Sequence, residues 1–327
     1  MRNALLLVLT LSGASLCLAA ETYPSQAVRL IVPFGPGGSS DVVGRIISPA
    51  LSEQLGKQFI VENRPGAGGR IGAALVAKSA PTGYVLLVND PSLTIHPGLY
   101  NSLSYDVVRD FTPITQIVRI PNVLVVHPSL NVNTLKEFVA LAQANPGKFN
   151  YGAAGTGSGA HLATELFKAA AKVNIVNITY AGGGGEVIAA MLSGQIQMFI
   201  ITATAAAAQV KSGQLRALAV TTVGRRSSAM PDVPSMSEAG VPGMEVYLWT
   251  GLTGPAGLPK EVVDKLHAEA IKAIAVPSVK ERLIGLGAEL VGSSPDEFSL
   301  YIRSEIPRWA KVIKDAGISV EGAGGDR

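Results

Sequence analysis

From residue 23 onward, short apolar runs rich in β-branched residues alternate with alanine-rich stretches whose apolar positions recur three and four apart. The first pattern suits strands buried on both faces, and the second suits the helices that cover them. Residues 28–32, 59–62, 85–88, 123–126, 175–180, 196–201 and 215–220 are predicted strands, and 41–55, 70–77, 134–143, 162–171 and 186–192 are predicted helices. Strand, short loop and helix in repetition predict an α/β fold of mainly parallel sheets flanked by helices. Toward the C-terminus the rhythm changes. Residues 259–274 form an amphipathic pattern with Val263, Leu266, Ala270 and Ile274 on one side. Ser294, Pro295 and Glu297 then have the spacing of a capping box with proline at the first helical position, opening a last helix toward Trp309. These two helices are expected to return as a cap onto an earlier unit.

Two extended segments, 120–128 and 244–255, are placed to carry the chain between two lobes. The expected division is lobe 1 from 21–122 plus 250–327 and lobe 2 from 123–249. Each lobe is then a mainly parallel sheet flanked by helices, and the cleft between them is a favoured place for a ligand.

The first twenty residues change the setting. Arg2, an uncharged apolar stretch from Ala4, and the small residues Ala19 and Ala20 predict a cleavable secretory signal peptide over 1–20. Its removal leaves about 307 residues (327 − 20), enough for two domains of about 150 each. Cys17 is the only cysteine and leaves with the signal, which excludes disulfides, thiolate nucleophiles and cysteine-held metals from the mature chain. An exported protein without cysteines fits the bacterial periplasm. The net charge of +3 becomes +2 without Arg2, and no basic run exceeds the pair Arg225 and Arg226. Nucleic acid is therefore not an expected partner.

Candidate chemistry centres on glycine-rich loops. The stretch VRLIVPFGPGGSSDVVGRI, residues 28–46, lacks between Gly35 and Arg45 the lysine that a P-loop requires. Nor does it have the glycine spacing of a dinucleotide fingerprint. In YGAAGTGSGAH, residues 151–161, Gly155, Gly157 and Ala160 satisfy the looser dinucleotide spacing, but residues 172–180 contain no acid for a ribose hydroxyl. Ser158 lacks the flanking glycines of a nucleophile elbow, and His161 reads more simply as a residue of a helix's first turn than as a catalytic base. His96, His127 and His267 have no metal-ligand spacing, so neither a metal nor a cofactor is expected. Asp41 reads as a helix N-cap or first-turn acid. What remains is a strand, then a Gly/Ser/Thr loop, then a helix, at 33–41, 152–161 and 180–185. Loops of this kind aim backbone N–H groups and small hydroxyls at an anion.

The stretches YPSQAVRLIVPFGPGGSSD, VENRPGAGG, YGAAGTGSGAHL, GQLRALAVTT, PDVPSMSEAG and GPAGLP, in that order, resemble the signatures of the Bug-type receptors of tripartite tricarboxylate transporters. The resemblance implies a two-lobed periplasmic binding protein of type II-like architecture, without catalytic activity. It would take a di- or tricarboxylic, amino-acid or aromatic acid and deliver it to membrane permease subunits, acting as a monomer. It also implies a ligand site formed by Pro36, Gly37, Gly38, Ser39, Ser40 and Asp41, faced by Thr156, Gly157, Ser158 and His161, with Tyr180, Gly182 and Gly183 from the third loop and Asn89 after the third strand. Two stretches depart from the pattern. Asn89-Asp90-Pro91-Ser92 stands where small hydroxyl and glycine residues are usual, and Gln197 and Ile201 stand near positions that usually carry acids. The second departure implies a ligand without a cationic amine. Two other readings are a ligand-binding component of a signalling system and a hydrolase using Ser158 and His161.

Overall fold

The computed structural model describes residues 23–319 except 154, 181–183 and 223. The predicted signal peptide lies outside the described residues. In chain order the elements are β1 (Val28–Val32), α1 (Ser39–Leu55), β2 (Phe59–Asn63), α2 (Arg70–Ala77), β3 (Val85–Asn89), α3 (Ser92–Leu99), β4 (Phe111–Val126), α4 (Leu135–Ala144), β5 (Asn150–Ala153) and α5 (Gly159–Ala171). They continue as β6 (Val176–Thr179), α6 (Gly184–Leu192), β7 (Met198–Thr202), α7 (Ala203–Lys211), β8 (Arg216–Val220), β9 (Tyr247–Pro255), α8 (Lys260–Ala275), α9 (Pro277–Gly285), β10 (Glu289–Leu290) and α10 (Pro295–Asp315). A short 3-10 turn at Ala67–Gly69 precedes α2.

The parallel pairs are those joined by helical crossovers: β1 with β2 and β3, and β5 with β6 and β7. The crossing strands make both sheets mixed. β9 runs antiparallel to β3 and to β4, whose pairing with β9 extends from Phe111↔Pro255 to Pro121↔Tyr247. One residue later β4 enters a second sheet, with Asn122 opposite Thr202 of β7 and Val123 opposite Val220 of β8. Pro121 has no N–H to give a ladder, so the strand changes partners where it can least continue its old pairing. The N–H of Asn122 turns instead to the Thr221 hydroxyl at 3.0 Å.

Each sheet buries both faces. In the first, Leu30, Val32, Ile47 and Leu252 pack with Leu266 and Leu283 of α8 and α9, while Ile31, Leu87 and Trp249 pack with Phe298 and Ile302 of α10 on the other side. In the second, Leu124 and Tyr151 pack with Phe138 and Phe167, and Val123 and Phe199 with Val187 and Met191. The terminal helix expected to cap one unit joins both. Its start packs on the first sheet, and Trp309, Val312 and Ile313 enter the core around Phe138 and Phe167. α3 does the same with Ile95 and Leu99. The two helices approach so closely that a Cβ on Gly98 would stand 2.7 Å from the Ala310 Cα.

Candidate functional site

The first loop ends in a helix start without a side-chain cap. Gly38 is the N-cap of α1, in extended conformation, so Ser39, Ser40 and Asp41 carry first-turn N–H groups with no acceptor inside the helix. Asp41 is therefore a first-turn acid and not the N-cap. Its buried carboxylate accepts from the Gly37 N–H at 2.9 Å, from the Asn63 amide at 2.8 Å and from Arg45 Nε at 3.0 Å. Burial alone would raise its pKa, but Arg45, Gly37 and Asn63 together hold it below the ordinary aspartate value. The loop is thus pinned from behind, and the Gly37 N–H is spent on that brace.

The second loop is braced by a histidine. Ser158 is the N-cap of α5, its Oγ accepting from the His161 N–H at 3.4 Å, and the Gly157 N–H donates to His161 Nδ1 at 3.0 Å. Burial lowers the His161 pKa, so the ring is neutral with its proton on Nε2. The Nδ1 lone pair is thus engaged by the Gly157 N–H and not by the Ser158 hydroxyl. Ser158→Ala is expected to cost about 1 kcal/mol of folding free energy, the usual loss of a helix cap, measured by urea unfolding. Gly157 sits at φ +74°, and a Cβ there would stand 2.5 Å from Leu99 Cδ2, so the Leu99 side chain of α3 packs directly on the backbone of this turn.

The remaining expected residues are dispersed. The Tyr180 N–H donates to the Ala153 carbonyl at 2.9 Å, fixing the start of the third loop, whose Gly182 and Gly183 lie outside the described residues. Asn89 ends β3 opposite Gly251, fully buried, and neither atom of its amide has a hydrogen-bond partner among the described residues.

Two adjoining cavities open where β3, β5 and β9 meet their loops. One, of about 320 Å³, is lined by Phe34, Gly68, Asp90, Pro91, Ser92, His96 and Tyr100, and by Thr156, Gly157, Ser158 and Gly159 from the second loop. The other, of about 250 Å³, shares Pro91, Ile95, Ser158, Gly159 and Leu248 with it and is otherwise mostly apolar, with Phe199, Ile201, Val246 and Trp309, beside Asn122, Thr202 and Tyr247. Neither lining includes a lysine or arginine. The structure brings Thr156, Gly157 and Ser158 into this space. From the first loop only Phe34 lines it, although Ser40 lies beside Asp90.

Sequence reasoning missed Asp90, Ser92 and the apolar wall contributed by α3 and α10. Of the two departures near β7, Ile201 lines the second cavity. Gln197 instead braces the far end of the strand, accepting from the Asn150 N–H and donating to the Gly194 carbonyl. Trp249 is core, edge-on to Phe298 and Tyr301. No group of three or more His, Cys, Asp or Glu among the described residues could hold a metal ion, and no described helix is long and apolar enough to cross a membrane.

Similarity to known proteins follows the same lines. The chain is 35% identical over 312 residues to Protein BugT of Bordetella pertussis, covering 95% of each chain. Among solved structures it is similar to R. palustris Rpa4515 with adipate, at TM-score 0.78 and 35% identity over 91% of this chain and 99% of that one. It is also similar to MatC of Rhodopseudomonas palustris with bound malate, at TM-score 0.75 and 30% identity over 89% of this chain and 100% of that one. The family model that describes the tripartite tricarboxylate transporter family receptor matches residues 43–318, and the chain belongs to that family of two-lobed solute receptors.

Proposed function

We propose that this chain is a periplasmic receptor, exported by its N-terminal signal, that binds a small carboxylate between its lobes and delivers it to the membrane permease of a tripartite tricarboxylate-type transporter. The lobes are 21–122 plus 250–327 and 123–249, hinged where β4 and β9 cross. The observation that carries the reading is the cleft itself: helix starts and hydroxyls line one end, hydrophobic side chains the other, and no lysine or arginine lines either cavity. Such a site holds an anion by N–H and O–H groups and seats its carbon body in the apolar half. Adipate and malate in the two similar structures support the ligand class.

In this reading closure brings the first loop, Pro36 to Ser40, which lines neither cavity here, up to the ligand with the free N–H groups of α1, and Asp41 holds that loop in place. Thr156, Gly157 and Ser158 face it, with His161 bracing the second turn. Closure joins contacts that only the closed lobes provide. The test is a thermal-shift panel on the purified mature chain. Acids with an apolar body, such as adipate and benzoate, are expected to raise the Tm more than citrate does. A panel in which no acid raises it while sugars do would overturn the reading.

A further inference from the structure

Asp90 is a carboxyl group in the lining of a cavity whose other described residues present backbone, hydroxyl and apolar groups and the His96 imidazole. It is built into the start of α3. Its Oδ1 accepts from the Ser92 N–H at 2.9 Å and from the Ser92 hydroxyl at 2.5 Å. The Ser40 hydroxyl of α1 stands beside the same carboxyl. Since Oδ1 already takes two donors, a proton on this group belongs on Oδ2.

Among the described residues, the charged and titratable groups around it offer no compensating cation. On α3, His96 is neutral and held by Gly68 and Tyr105, and Tyr100 is covered by the Arg70 guanidinium 3.8 Å from its ring centroid. On α1, Asp41 is engaged by Arg45, and on α5, His161 accepts from Gly157. Tyr247 of β9 lines the neighbouring cavity and not this one. Burial raises the Asp90 pKa, and the bonds from Ser92, with the Ser40 hydroxyl nearby, only partly offset it. A bound carboxylate would press the same way, because two carboxylates sharing a site cannot both stay ionised.

Accepting the carboxylate-receptor reading, we propose that Asp90 selects the ligand by donating a hydrogen bond from its protonated carboxyl to a carboxylate oxygen, so that a proton enters the cleft with each ligand. The proton comes from solvent on binding and returns to it on release. A ligand offering a hydroxyl or ammonium at this point would instead need Asp90 ionised and would bind without proton uptake.

The test measures the affinities of adipate, malate and benzoate between about pH 6 and 9, where the carboxylates of all three are mostly or fully ionised. Calorimetry in two buffers of different ionisation enthalpy counts the protons taken up. In the wild type, affinity for the acid that binds is expected to fall with rising pH, by up to about tenfold per unit, with uptake approaching one proton. Asp90→Asn keeps a donor at the position and is expected to bind with no pH slope and no proton uptake. A flat wild-type profile overturns the inference and leaves the receptor reading standing. So does loss of binding in Asp90→Asn, provided its unfolding curve matches the wild type. If none of the acids binds at any pH, both fall together.

Discussion

Gly38→Val is expected to weaken carboxylate binding by at least about a hundredfold while changing folding stability by no more than about 1 kcal/mol. The separation follows from the geometry of the loop. Gly38 has φ −69° and ψ 163°, which a β-branched residue adopts without strain. A Cβ there would meet only the Gly35 carbonyl oxygen, at 3.6 Å, an ordinary contact. The residue is exposed, so the added methyl groups displace solvent and not core. They would, however, stand at the mouth of the α1 N–H groups that the proposed ligand approaches. A carboxylate held off from two such donors loses charge-assisted hydrogen bonds worth about 1.5 to 3 kcal/mol each. Gly37→Val is the informative contrast: at φ +85° it strains the backbone itself, so its effect on affinity would come mixed with a loss of stability. Calorimetric affinities read beside urea unfolding of both variants separate the two effects. An unchanged affinity in Gly38→Val would remove the first loop from the site.

What the sequence disclosed about this cleft follows from which features are local. β1, α1, β5 and α5 are each encoded within one short window, and the loops between them carry glycines where the backbone turns left-handed, as at Gly155 with φ +113°. Those elements and their loops were therefore legible. α3 was not, because Pro97 lies inside it and Pro91 at its N-cap, and proline in a helix window normally signals an end. Missing α3 concealed the wall formed by Ile95 and Leu99 and left Asp90 as an unusual loop residue with no helix to cap. The first half of β4 was hidden similarly by Pro113 and Pro121, which the strand accommodates at a register shift and at its change of sheet. Trp309 was legible as helical but not as a lining residue. Its place depends on α10 running across both sheets, a property of the assembled fold that no window of the chain contains. The pairing of Ser158 with His161 was visible as spacing alone. Its meaning, a capped turn with a neutral ring accepting from Gly157, required the hydrogen-bond direction.

His96 carries the larger stability prediction, and its sign follows from its partners. A carbonyl oxygen can only accept, so the contact of Nε2 with the Gly68 carbonyl at 2.9 Å places the ring proton there, and Nδ1 accepts from the Tyr105 hydroxyl at 2.7 Å. Burial, reinforced by the nearby Arg70, lowers the pKa from 6.5 to about 4, against the smaller opposite pull of the Gly68 carbonyl. As the pH falls below 6.5, the unfolded chain takes up this proton first, so the stability His96 lends at neutral pH is lost progressively down to about 4. By pH 5 the loss should reach about 2 kcal/mol. His96→Gln retains a donor for Gly68 and removes the titration. It should therefore start less stable at pH 7.5 yet lose about 2 kcal/mol less than the wild type on acidification to pH 5, because every other titrating group is common to both. Urea unfolding at the two pH values gives the comparison, and equal losses would show that the ring is free to charge in the folded state. The consequence reaches the cleft, because Gly68 and His96 both line the polar cavity. Protonation that breaks this brace would loosen the turn at Ala67–Gly69 before the sheets come apart, and it would do so below the pH range in which Asp90 is tested.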